Sequence, residues 1–196
     1  MKIFETLKSK YEGRYVSVSN NTQQIWTVYS NLTSTNIPIV LIHGFGGGLA
    51  LWSLNLDQLT ADRPVYAIDL PGFARSSRPR FSPDPNEAEN EFVNMLEDWR
   101  IAISLNKPFI LLGHSFGGFL SASYTLNYPK YIEQLVLIDP WGFGRKPDDI
   151  WQTGRLQRVP TWLRSFSSVI MKLSPLTGLR VAGPFGNLDF VCYYLN

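Results

Sequence analysis

The sequence predicts an α/β fold: a mostly parallel sheet with helices between its strands. Three observations predict it. Continuous apolar runs recur at residues 37–42, 65–68, 109–112 and 135–138. Such runs suit strands buried on both faces, as in parallel sheets. Helical periodicity lies between them, and strand–helix alternation implies right-handed crossovers. Third, Gly113-His114-Ser115-Phe116-Gly117 punctuates one strand–helix junction.

The elements follow in chain order. Residues 15–18 and 25–29 alternate with a period of two. Ser19-Asn20-Asn21-Thr22 between them is turn chemistry, so the pair reads as a hairpin. The run at 37–42 ends in His43-Gly44 and is the first buried strand. Another strand, at 65–68, runs into Asp69-Leu70-Pro71-Gly72, a turn punctuated by Pro and Gly. This turn is expected to brace the Ser115 turn without reacting. Residues 86–104 form the clearest helix, with Phe92, Met95, Leu96, Trp99 and Ile103 on one face. Glu87, Glu89 and Glu91 crowd its first turns, where the helix dipole favours negative charge. Pro83 and Pro85 mark its start. The strand at 109–112 feeds a helix through Gly118, Phe119, Leu120 and Ala122. From Pro140 to Gly186 no strand-like run occurs. Trp162, Phe166, Val169, Ile170 and Leu173 can share a helical face there, with Arg158, Arg164 and Lys172 nearby. The segment reads as a helical cap.

Composition narrows the function classes. Eighteen basic and sixteen acidic residues balance too closely to argue for nucleic acid. The single cysteine, Cys192, has no internal partner, which is compatible with a reducing compartment. The amino terminus has no apolar signal core, and no run approaches the ~18 residues of a spanning helix. The sequons at Asn20 and Asn31 are therefore read as chance. Aromatic residues reach 14%, which leaves two readings: an ordinary core, or a surface that meets lipid.

The chemistry concentrates at Ser115. Gly113-His114-Ser115-Phe116-Gly117 matches G-x-S-x-G in the strand–turn–helix setting of a nucleophile elbow. Flanking Gly113 and Gly117 leave room where the tight turn has none for a Cβ, and the turn pushes the hydroxyl out above the sheet. His43-Gly44-Phe45-Gly46-Gly47-Gly48 lets backbone N–H groups approach developing negative charge. The expected oxyanion donors are the N–H groups of Phe45 and Phe116. A phosphate-cradling loop is the rival reading, but the Gly-Lys-Ser/Thr ending is missing. His43 is expected to order this loop by hydrogen bonding, and His114 to face away from the serine. These are the only two histidines. Serine needs an adjacent base, and in this chain order the acid and then the histidine follow the serine. Asp139, at the end of the 135–138 strand, is a candidate acid; the alternative is a structural cap of the Pro140-Trp141-Gly142 turn.

Together these motifs resemble the α/β-hydrolase superfamily. The resemblance narrows over His43–Gly48 with Trp52, the run Gly72-Phe73-Ala74-Arg75-Ser76-Ser77-Arg78-Pro79, residues 111–120, Asp139-Pro140-Trp141-Gly142-Phe143, and Gly178-Leu179-Arg180-Val181-Ala182-Gly183-Pro184-Phe185-Gly186. These look like the lipid-acting subfamily of the N-acyl phosphatidylethanolamine lysophospholipase and the adipose triglyceride lipase coactivator. The latter has Asn where Ser115 stands, so the sequence sits with the hydrolytic branch. Family members usually have Gly at the position of Ala74. The resemblance also implies two further strands, the acid, the histidine and an H-x-x-x-x-D motif beyond Gly186.

The expectations are therefore an α/β-hydrolase fold, a mostly parallel sheet with a partial helical cap, truncated before its last strands. Residues 1–139 form the core portion, 140–186 the cap and 187–196 an atypical tail. The implied activity is serine carboxylic-ester hydrolysis of the lysophospholipase or N-acyl phosphatidylethanolamine lipase type. Turnover is expected to be absent from this chain for want of a base, and 135–138 to be an aggregation-prone sheet edge. The alternatives are a non-catalytic lipid-surface regulator of a lipase, or a lysophosphatidic acid acyltransferase-like protein. The expected partners are phospholipid or lysophospholipid, a lipid-droplet or membrane surface, and a lipase; no cofactor, metal or nucleic acid is implied. The expected location is cytoplasmic, peripheral to lipid droplets or intracellular membranes, including the mitochondrion.

Overall fold

The computed structural model describes residues 7–143. Contacts divide the chain into two compact units, Met1–Gly144 and Arg145–Asn196, and the described residues belong to the first. The expected cap beyond Phe143, with the apolar face at 162–173, and the tail at 187–196 lie outside the described residues.

Strands β1 (Glu12–Val18) and β2 (Gln23–Ser30) form the expected hairpin, paired antiparallel. Ser19, Asn20 and Asn21 all take positive φ in its turn. Asparagine tolerates this conformation better than most residues. The four apolar runs become β3 (Ile39–Ile42), β4 (Val65–Ile68), β5 (Phe109–His114) and β6 (Ile132–Ile138). They make one six-stranded sheet in the order β1-β2-β4-β3-β5-β6. β4, β3, β5 and β6 pair in parallel, while β1 and β2 are antiparallel. The sheet is thus mostly parallel, as the apolar runs predict.

Three helices connect the parallel strands: α1 (Ser53–Leu59), α2 (Pro85–Ala102) and α3 (Phe116–Asn127). A 3-10 turn, Leu49–Trp52, leads into α1. In α2, Pro85 occupies the first turn and the Asp84 carboxylate accepts from the N–H groups of Asn86 and Glu87. That carboxylate satisfies donors a helix start otherwise leaves bare. Phe92, Met95, Leu96 and Trp99 are buried as expected. Trp99 also donates its Nε1–H to Thr27 Oγ1 (2.8 Å), pinning α2 to β2. On the other face of the sheet, Val28, Ile39, Leu41, Val65 and Ala67 pack with Leu49, Trp52 and Leu56.

The run at 135–138 differs from its expected two-sided burial. Leu135, Val136 and Leu137 are half-buried and Ile138 is exposed. Among the described residues β6 pairs with β5 alone. Val136 and Gln134 line an open groove of about 330 Å³ with Ile110, Leu59 and Arg63. The apolar run was therefore a correct signal for a parallel strand and a misleading one for burial.

The chain leaves β3 for β4 on one side, and α2 then carries it back across β3 to β5. The strand order reverses between β3 and β5. In such sheets ligands bind beyond the carboxyl ends at that reversal. His43-Gly44-Phe45 follows β3 there, and Ser115 follows β5.

Candidate active site

Ser115 joins β5 to α3 with φ 53° and ψ −117°. A non-glycine residue holds such backbone only when its surroundings determine it, at a cost of about 1–3 kcal/mol. Three hydrogen bonds do so here. Its N–H donates to the Ile138 carbonyl (3.0 Å), and its carbonyl accepts from Phe119 (3.1 Å) and Trp141 (2.9 Å). The flanking glycines are steric requirements. A Cβ on Gly113 would run into the Gly117 carbonyl and lie 2.5 Å from Ser121 Oγ. A Cβ on Gly117 would run into the carbonyl of His43 and lie 2.5 Å from that of Ile42. The elbow is thus packed directly onto the end of β3.

Gly44 brings the second loop alongside. A Cβ there would sit 3.1 Å from the Ser115 Cβ and 2.9 Å from His114 Nδ1. Neither the Phe45 nor the Phe116 N–H donates to another described residue. Phe116 opens α3, so its N–H is one of the four a helix leaves unpaired. Phe116 follows Ser115 directly, and Phe45 follows the Gly44 that lies against it; neither N–H has a partner among the described residues.

The two histidines have different surroundings. His43 is completely buried. Its Nε2 accepts from the Leu70 N–H (2.9 Å), and its Nδ1 lies 2.7 Å from the Gly44 carbonyl. Both ring nitrogens are thus committed to backbone atoms, one of them within the glycine loop. Burial pushes its pKa down, against smaller upward contributions from the Gly44 carbonyl and the Asp69 charge, while His114 pushes the same way as burial. His114 makes no hydrogen bond to Ser115, and its Nδ1 is buried without a partner among the described residues. Neither histidine is placed as the base.

Asp69-Leu70 braces this region by a route the sequence did not reveal. The buried Asp69 carboxylate accepts from the N–H groups of Leu49 (2.7 Å) and Arg75 (3.1 Å). Ser76 Oγ donates to the Asp69 carbonyl. The segment therefore holds the Gly44–Leu49 loop first, and meets the elbow through Phe73 against Phe116 (ring centroids 6.3 Å apart). Ala74 sits at φ 40°, which explains why a glycine suits that position.

Asp139 is exposed, at φ 44°, between the two backbone tethers of the elbow at Ile138 and Trp141. Its carboxylate makes no hydrogen bond to a described residue, so the turn it was expected to cap is held by the Trp141 N–H instead. Aromatic rings crowd the serine. Phe116 meets Phe45, Phe73, Phe92, Phe119 and Trp141 at centroid distances of 5.5–6.4 Å. Phe45 (40% exposed) and Trp141 (57%) form its open side. The sequence puts Trp141 in a turn and in a motif of the resemblance, but nothing local signals that its ring meets Phe45 and Phe116.

A strained serine between strand and helix, a glycine loop packed against it and a switch-point location converge on one architecture. A family model described as an alpha/beta hydrolase fold matches residues 37–182. The chain belongs to the α/β-hydrolase fold family. The narrower resemblance also holds. The chain is 48% identical over 186 residues to the mouse protein named 1-acylglycerol-3-phosphate O-acyltransferase ABHD5, covering 94% of this chain and 52% of that one. It is 45% identical to the human (lyso)-N-acylphosphatidylethanolamine lipase, covering 94% and 53%. Among solved structures, a bacterial membrane phospholipase A matches with a TM-score of 0.60 at 29% identity, over 71% of this chain and 42% of that one. The chain thus spans about half the length of the curated relatives it matches.

Proposed function

We propose that the chain carries the nucleophile and the oxyanion donors of a serine carboxylic-ester hydrolase acting on phospholipids or lysophospholipids. The observation that carries this reading is Ser115 on its strained elbow, with Gly44 packed against it and the N–H groups of Phe45 and Phe116 without partners among the described residues. Ser115 Oγ attacks the ester carbonyl carbon. The carbonyl oxygen becomes an oxyanion held by the two N–H groups; as it collapses the ester C–O bond breaks, the hydroxyl proton passes by way of a base to the leaving oxygen, and the alcohol departs to give an acyl-enzyme that water hydrolyses. The ring surface of Phe45, Phe116 and Trp141 suits an apolar acyl chain. The lipase and phospholipase names of two relatives support a lipid ester as substrate. Asp139 is the proposed acid; its position at the end of β6 beside the elbow supports that role.

The attack needs a base, and neither histidine of the chain supplies one. The 196-residue chain alone should therefore lack the ~10²–10⁴-fold of general-base help. The test is a fluorophosphonate probe on a version continued at its carboxyl end to the length of its relatives. Labelling that survives Ser115→Ala would refute the nucleophile.

A second reading is a non-catalytic lipid-surface regulator of a lipase, or an acyltransferase for lysophosphatidic acid, peripheral to lipid droplets or intracellular membranes. The exposed rings of Trp141 and Phe143 favour it, as does the acyltransferase name of one relative. Flotation with phosphatidic acid vesicles tests the surface: Trp141→Ala with Phe143→Ala should abolish binding, and undiminished binding removes this reading.

A further inference from the structure

We propose that His43 is the positioning residue of the oxyanion loop: its neutral imidazole fixes the Gly44–Phe45 peptide so that the Phe45 N–H faces away from the core, and protonation releases it. This rests on the proposed role of the Phe45 N–H.

The geometry begins with the tautomer. The Leu70 N–H can only donate, so the Nε2 it meets at 2.9 Å is an acceptor. The ring proton then sits on Nδ1 and donates to the Gly44 carbonyl at 2.7 Å. That carbonyl also accepts from the Gly47 N–H (3.2 Å), so it is held from two directions. The Gly44 carbonyl and the Phe45 N–H belong to one peptide unit. In a planar trans peptide they point opposite ways. Fixing the carbonyl toward the buried imidazole therefore turns the Phe45 N–H away from it, and that N–H donates to no described residue. Gly44 itself lies against Ser115. One side chain thus sets the direction of a donor two residues later.

The same lock joins two loops. Leu70 follows Asp69, whose carboxylate holds Leu49 at the far end of the glycine loop. His43 and Asp69 hold the loop at its two ends, each from the position just after its strand, β3 and β4.

Protonation breaks the lock by a defined route. A proton on Nε2 would face the Leu70 N–H, donor against donor. The ionisable groups around the ring are Asp69 after β4 and His114 at the end of β5, with the Phe73 ring in an edge contact at 5.8 Å between centroids. The Asp69 carboxylate is oriented by the N–H groups of Leu49 and Arg75, one on each oxygen, and among the described residues it makes no hydrogen bond to the ring. Burial then holds the ring neutral below its ordinary range.

The test is NMR on the 196-residue chain, which needs no turnover. Ring ¹⁵N shifts should show His43 as the Nδ1–H tautomer at neutral pH. On acidification, the His43 ring and the Phe45 and Leu70 amides should move with one midpoint below ~6.5. An Nε2–H tautomer, or a His43 transition that leaves the Phe45 amide unmoved, overturns the proposal. Either result would leave Ser115 as nucleophile untouched. In a version that turns over, His43→Asn keeps a donor at the Gly44 carbonyl and should retain most of kcat. His43→Ala should lower kcat by roughly 10²–10³-fold with KM little changed, as loss of one oxyanion donor does. Equal losses in the two folded variants would also refute it.

Discussion

Ser115 carries a backbone cost that only its chemistry explains. Glycine takes its φ and ψ freely, so Ser115→Gly should raise stability by about 1 kcal/mol while removing all fluorophosphonate labelling. A denaturant melt alongside the labelling checks both; a less stable variant would mean the elbow is not strained. Gly117→Ala should cost about 1–3 kcal/mol or more, because its Cβ meets backbone carbonyls of β3 that cannot rotate aside. His43 predicts a pH dependence with a definite sign. Its folded pKa lies below the unfolded value of about 6.5, so the unfolded chain binds the proton first. Its contribution is complete above that value and is lost as pH falls toward the folded pKa. The melting temperature should fall on acidification through this window, less steeply in His43→Asn. The sequence revealed Ser115, its glycines and the buried role of His43, because each belongs to a contiguous motif. It did not reveal that Asp69 grips Leu49, twenty residues away, since only the pairing of β3 with β4 brings them together.

Among the elements, α2 was legible and α1 was not. The 18 residues of α2 allow a full apolar face to repeat, whereas the seven of α1 give barely two turns. The prolines marked the start of α2 but not its cap: Asp84 does the capping, and Pro85 occupies the first turn. Asp84→Ala should therefore cost about 1 kcal/mol in a chemical melt, and Asp84→Asn much less. Equal costs would assign the effect to charge instead of hydrogen bonding. Strand β6 marks where periodicity stops informing. An apolar run announces a strand, but its burial depends on what covers it, which no local pattern encodes. Val136 is half-buried and Ile138 exposed although the run is as apolar as those of β3 and β5.

For the molecule as a whole, the site follows from topology more than from any one element. β3 and β5 are adjacent, yet the chain visits β4 between them. That reversal opens a crevice at their carboxyl ends, and the glycine loop and the serine turn fill its two sides. The sequence supplied the strand–helix alternation, and with it the class of fold and the end of the sheet that bears the chemistry. It could not supply the aromatic wall, because Phe45, Phe73, Phe116 and Trp141 come from four separate connections. The proposal that Ser115 is the nucleophile is tested most directly by mapping a fluorophosphonate adduct by mass spectrometry. The protein would be continued to its relatives' length and compared with the 196-residue chain. A single adduct on Ser115 in the longer protein, slower by at least ~10²-fold in the 196-residue chain, is the predicted result. An adduct on another residue, or labelling unchanged by Ser115→Ala, would contradict it.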